Sequence, residues 1–300
     1  MDNRMSLLWA SDGSEYCLST VETMRHLVLP AAAKVSVVTV APLNSNRARL
    51  KRLVSSGDEI MEQELARARE AAIASERALL ELHDLNAPVT HNVRWGSAAT
   101  EIVQEGADLD ADIIAVGTKP YSAFRRAIMD DTALAVLKLT HRATLLARPP
   151  TTDAPRGLVI LCNSSQWLST AVDFVKRLQP ASGTKVYLAS FVEQSPSAAG
   201  MFFSYREYKR LQSETVSVLD HQIVRGLIDE AAVSLRILGH EVEVVIGEGS
   251  QELGLSRLVD DVSAGAVVVG AAPFAAGFFS STASALNAAL RVRCSVLVAR

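Results

Sequence analysis

Residues Val116 to Leu137, VGTKPYSAFRRAIMDDTALAVL, read as the end of an apolar strand, a loop opened by Gly117, and then a helix. Many α/β proteins hold phosphate with that order of elements, because free backbone N–H groups and the positive end of the helix dipole converge at the loop. The residues inside this loop argue against such chemistry. Pro120 removes one N–H donor and fixes φ. Asp130 and Asp131 stand at the helix start, where two carboxylates would cap the helix, fill the anion's place and repel a triphosphate.

Other reactive residue types form no catalytic set. The six histidines (His26, His83, His91, His141, His221, His240) lack HExxH or CxxC companions and metal-ligand spacing. A serine nucleophile would need GxSxG at a strand-to-helix elbow, and neither DGSEY nor CNSSQ supplies the second glycine. Ser14 and Ser164 fit better as N-caps of the helices that follow. Cys17 falls on an apolar helical stripe. Cys162 ends a strand and reads as a small core residue, with a redox-sensitive thiol as the alternative. Trp9, on the first strand, is assigned to the core. A non-enzymatic chain, with no metal, is expected.

The elements that position these residues follow from the whole chain. It has 300 residues, 49% of them hydrophobic, which suits two domains of ordinary size. A net charge of −3 gives no electrostatic reason for a nucleic acid or an anionic membrane as partner, and the run Arg47, Arg49, Lys51, Arg52 reads as a solvated face. Three cysteines without a CxxC pair, and no secretory leader, imply a reducing compartment and hence the cytoplasm. The longest apolar run, Ala264 to Phe279, is broken by glycines and Pro273 and falls short of the roughly twenty residues that span a bilayer.

The chain is written twice. LLWASDGSEYCLSTVETM from Leu7 returns as LVILCNSSQWLSTAVDFV from Leu158, DADIIAVGTKP as AGAVVVGAAP, and TLLAR ending at Arg148 as VLVAR ending at Arg300. Matched blocks in the same order predict two domains, 1–150 and 151–300, joined through the proline-containing RPPTTDAPRG. In the first half, apolar runs at Leu7–Ala10, Val35–Val40, Val89–Val93, Ile113–Val116 and Thr144–Ala147 predict strands covered on both faces. The second half repeats them at Val159–Leu161, Val186–Phe191, Val242–Ile246, Ala266–Val269 and Val296–Ala299. Amphipathic stretches lie between, the longest beginning at Glu59. The fold class is α/β: two tandem, doubly wound, five-stranded parallel sheets.

The last strand of each half would expose an apolar sheet edge, and pairing these edges across a pseudo-two-fold axis would cover it. The aromatic segment Met201 to Tyr208 reads as a staple docking the second long helix, or else as an exposed patch for a partner or small ligand.

Two copies of strand–DGS–helix closing on strand–Gly–loop–helix–VLVAR resemble the universal stress protein family in tandem form. The resemblance implies the adenine nucleotide alpha hydrolase-like fold, strand order 3-2-1-4-5, and in some members ATP at the switch point outside the strand C-termini. It further implies an adenine-side Asp after the first strand and a phosphate loop of the form Gly-x2-Gly-x9-Gly-(Ser/Thr).

Carried over by residue, the first half keeps Asp12 and Gly117, with Val40 ending the second strand as a further candidate contact. Pro120, Asp130 and Asp131 replace the rest of its loop motif. The second half keeps Gly270 and Ser284, with Thr282–Ala283 as an equal alignment, and Pro273 again replaces the second glycine. Cys162 is aligned with Asp12 and Asn163 with Gly13, so neither half holds a complete set.

The expected function is a cytoplasmic stress-response protein of universal stress type. It would be non-catalytic, with degenerate ATP motifs and no required cofactor, acting by partner or small-ligand binding as an internal pseudo-dimer that could dimerise further. The alternative is an ATP-binding regulator using mainly the second-half loop, with Asn163 and the serine cluster. An adenylate-forming or hydrolytic enzyme has no positive motif.

Overall fold

The computed structural model describes residues 5–42, 57–118, 132–150, 157–162, 165–178, 180, 184–192, 225–248, 250–271, 286–287 and 289–300. Pro120, Asp130, Asp131, Asn163, Ser164, Met201 to Tyr208, Pro273 and Thr282 to Ser284 lie outside them, as do the basic run from Arg47 and most of the interdomain linker.

The first half builds β1 (Met5–Ala10), α1 (Glu15–Leu27), β2 (Ala32–Pro42), α2 (Gly57–Glu81), β3 (Val89–Gly96), α3 (Ala98–Asp108), β4 (Ile113–Gly117), α4 (Thr132–Leu139) and β5 (Ala143–Ala147). The second builds β6 (Gly157–Leu161), α5 (Ser165–Leu178), β7 (Lys185–Val192), helix α6 over 225–237, β8 (Glu241–Glu248), α7 (Gln251–Asp261), β9 (Ala264–Gly270) and β10 (Ser295–Ala299). Each of the ten runs read as strands falls within a strand, and the amphipathic stretch from Glu59 is α2.

The strands form one ten-stranded sheet in the order β3-β2-β1-β4-β5-β10-β9-β6-β7-β8. Each half keeps the 3-2-1-4-5 order with parallel neighbours. At the centre β5 and β10 pair antiparallel, Leu145 opposite Leu297, so the two halves join edge to edge. Both central strands are buried along their whole length, because an apolar edge left open would template foreign pairing. The antiparallel join also points the strand C-termini of the two halves in opposite directions, so Asp12 and Gly117 sit at one end of the sheet and Gly270 at the other.

The outermost strands depart from the sequence expectation. β3 is not buried on both faces, and His91 and Asn92 on it are exposed, since among the described strands it pairs with β2 alone. Its polar face is used instead: Arg94 contacts Glu101, Glu105 and Asp108 of α3, and the Asn92 amide donates to Glu105.

Side chains alternate across the sheet with a period of two, which divides the core by face. Leu7 and Trp9 point to one face, with Val21 and Met24 of α1, Leu82 just beyond α2, Val172 and Leu178 of α5, and Leu235 of α6. Leu8 and Ala10 point to the other, with Ile102 of α3, Val136 of α4, Leu255 of α7 and Val292. Each cluster draws on both halves, so burial in one half is completed by the other. At 1.5–3 kcal/mol for each fully buried large aliphatic side chain, these shared layers contribute far more than the polar links between the halves. Those links include Arg177 of α5 on Asp112 at 2.7 Å, the Arg148 N–H donating to the Ser295 hydroxyl at 2.9 Å, and the guanidinium groups of Arg148 and Arg300 on carbonyls of the opposite half.

Candidate functional site

The first-half site lies where β1 and β4 diverge. Its geometry begins with the four residues Ser11 to Ser14 between β1 and α1. Asp12 Oδ1 accepts hydrogen bonds from the Ser14 N–H (3.0 Å) and the Ser14 hydroxyl (2.7 Å), an Asx-turn that aims the chain into the helix. Ser14 Oγ in turn accepts from the Cys17 N–H at 3.2 Å, making Ser14 the N-cap expected from sequence. Gly13 has φ +68, a left-handed conformation, and a Cβ there would stand 2.6 Å from the Ala74 Cβ. Helix α2 is therefore pressed against the turn, and Arg77 of α2 donates to Gly13 O at 3.4 Å. Asp12 is exposed and Val40 half-buried at the same end of the sheet.

On the β4 side, Gly117 is half-buried, and a Cβ on it would meet Cys17 at 3.5 Å, an ordinary contact. The next residue is fixed from two directions. Thr118 N donates to Ala147 O at 2.8 Å, and Thr118 O accepts from the Tyr16 phenol at 2.6 Å. Tyr16 thus ties the first turn of α1 to the exit of β4, across the crevice that an open α/β sheet offers a ligand. Sequence reading passed over Tyr16, because only its neighbour Cys17 lies on the apolar stripe.

The second-half site is built differently. Ala10 pairs with Val38 and Leu161 with Ala189, and the Ser11 N–H donates to Val38 O (2.9 Å) as the Cys162 N–H donates to Ala189 O (2.7 Å). Cys162 therefore stands in the place of Ser11, which corrects the alignment of Cys162 with Asp12. By count, Asn163 takes the position of Asp12, although Asn163 itself lies outside the described residues, as does Ser284.

The misalignment has a physical origin. Only the three residues Cys162 to Ser164 connect β6 to α5, one fewer than in the first half, so matching the helices misplaces the strand. The first turn of α5 is packed tightly on the end of β9. A Cβ on Gly270 would collide with the carbonyl oxygen of Trp167 and lie 2.8 Å from its carbonyl carbon, where Gly117 meets Cys17 at a normal distance.

The three thiols are all buried and free. Burial raises the pKa of each. For Cys17, bonds with Ser11 and the Asp12 backbone oppose that rise, and Cys294 is pushed up to about 12. The thiols are neutral at physiological pH, which suits the core assignment of Cys17 and Cys162. Among the described residues, no group of three or more histidine, cysteine or acidic side chains could hold a metal ion.

One oxygen of the Asp12 carboxylate is committed to the helix cap, Thr118 is held at both backbone groups, and Gly270 has a backbone carbonyl pressed on it.

Residues 4–148 match the sequence profile of the universal stress protein family. No curated protein matches the chain by sequence. Among solved structures, the chain is similar to a universal stress protein from Archaeoglobus fulgidus DSM 4304, at 14% identity and TM-score 0.64, over 99% of this chain and 97% of that one. It is similar also to a putative universal stress protein from Pseudomonas aeruginosa UCBPP-PA14 (14%, TM-score 0.58, 99% and 94%). A functionally unknown protein from Pseudomonas aeruginosa PAO1 shares the fold as well (14%, TM-score 0.57, 99% and 93%). At this identity the likeness is one of fold, and it extends through both halves.

Proposed function

We propose, from the premise that residues 4–148 belong to the universal stress protein family, that the whole chain is a tandem stress-response protein which binds a protein partner or small ligand and catalyses no reaction. In this reading residues 1–150 and 151–300 act as two domains of one internal pseudo-dimer in the cytoplasm. Neither nucleic acid nor an anionic membrane is a partner in this reading, since a net charge of −3 gives no electrostatic reason for either.

The observation that carries the reading is the Trp167 carbonyl packed on Gly270. The second half is the one whose loop sequence is free of blocking acids, and there Gly270 is packed so closely on α5 that it leaves no room for a methyl group. In the first half the acids Asp130 and Asp131 argue the same way from sequence.

The rival is an ATP-binding stress regulator. An exposed Asp12 and an uncrowded Gly117 favour the first half for it, rather than the second-half loop. Calorimetric titration of the full chain with ATP, with and without Mg²⁺, separates the two. The proposal expects no saturable heat below about 1 mM. A micromolar Kd abolished by Asp12→Ala would replace it with the rival.

A further inference from the structure

Each half ends in an arginine whose side chain leaves its own half. Arg148 follows β5 and is buried. Its guanidinium donates to the carbonyls of Leu290 (3.0 Å), Val292 (2.6 Å) and Cys294 (2.7 Å), which close the chain between helical residues 289–291 and β10. Arg300 follows β10 and donates to Leu137 O at 2.7 Å and to Thr140 O, the carbonyls at the end of α4.

The two sets correspond. VLVAR repeats TLLAR, and Val292 precedes β10 by as many residues as Thr140 precedes β5. The antiparallel centre places Arg148 beyond Leu146, opposite the start of β10, and its N–H donates to the Ser295 hydroxyl at 2.9 Å.

The last carbonyls of a helix have no partner within the helix, and a cationic donor there satisfies them while complementing the negative end of the dipole. Here both donors come from across the sheet. Arg142, the first arginine after α4's end, is engaged elsewhere, with Asp110 at 2.6 Å.

We propose that Arg148 and Arg300 form a reciprocal brace, in which the helix end before each central strand is completed by the arginine that follows the central strand of the opposite half. The order of each helix end then depends on the pairing of β5 with β10, and a change at one end of the sheet reaches the helix behind the other. The brace rests on hydrogen bonds alone and is independent of whether either half binds a ligand.

Hydrogen exchange with mass analysis on the full chain tests it. Arg300→Met keeps the apolar stem and removes the donors; amides of Leu137 to Thr140 should exchange about tenfold faster, while residues 289–294 stay within about twofold of wild type. Arg148→Met should give the mirror pattern, and Arg300→Lys should restore part of the protection. Unchanged exchange at α4 in Arg300→Met, or equal acceleration in both halves, would overturn the brace. So would complete unfolding of the Arg300 variant, since bonds to one helix end do not carry the global fold. If Arg148→Met alone fails to fold, the Arg300 variants decide.

Discussion

The carbonyl oxygen of Trp167 stands where a side chain on Gly270 would have to begin, whereas Cys17, its counterpart in α1, leaves Gly117 an ordinary contact distance. Two glycines that match in the repeat thus stand in different surroundings. Gly270 has no room for a Cβ, and Gly117 does. Gly270→Ala should cost about 3 kcal/mol, because a backbone carbonyl yields less readily than a side chain. Gly117→Ala should cost under about 1 kcal/mol. Denaturant unfolding of the two variants measures both, and equal losses would show that the one-residue shortening before α5 has no structural consequence.

Tyr16→Phe removes only the hydroxyl that donates to Thr118 O. The expected loss is about 1 kcal/mol, the net worth of one partly buried hydrogen bond. Faster amide exchange at Thr118 in the variant, with the rest of β4 unaffected, would locate the effect at the strand exit.

The thiols should be unreactive in the folded chain. Burial raises the pKa of Cys17, Cys162 and Cys294, so at pH 8 the nucleophilic thiolate is scarce as well as inaccessible. A chromogenic disulfide reagent should count no thiols on the native protein and three after denaturation. Rapid labelling of Cys162 in the native state would revive a redox role for it.

Asp112 links the halves in a pH-dependent way. Burial by itself would raise its pKa, but the Ser6 N–H and the Arg177 guanidinium together hold it below the usual carboxylate value. A carboxylate depressed by folding contributes stability that is present above its unfolded pKa and lost as pH falls through the folded one. Stability should therefore drop below about pH 4, and Asp112→Asn should flatten part of that drop. Because the pair is partly exposed, Arg177→Ala should cost no more than about 1 kcal/mol near neutrality. Thermal unfolding between pH 3 and 7 checks both, and an identical pH profile for Asp112→Asn would refute the assignment.

The repeat, the ten strands, the alternation with helices and the N-cap at Ser14 were fixed by sequence alone, because each depends on short-range periodicity or on a residue's own hydrogen-bonding reach. Matching end strands at Leu145 and Leu297 even implied the central pairing, since an apolar edge must be covered. What needed the tertiary structure was position across the gap between elements. Whether Cys162 answers to Ser11 or to Asp12 turns on one residue missing between a strand and a helix, and only the bonds from Ser11 to Val38 and from Cys162 to Ala189 settle it. The crossing of Arg148 and Arg300 was equally hidden: VLVAR and TLLAR reveal that the arginines repeat, while the carbonyls they reach lie far along the chain and meet them only after the two edges have paired.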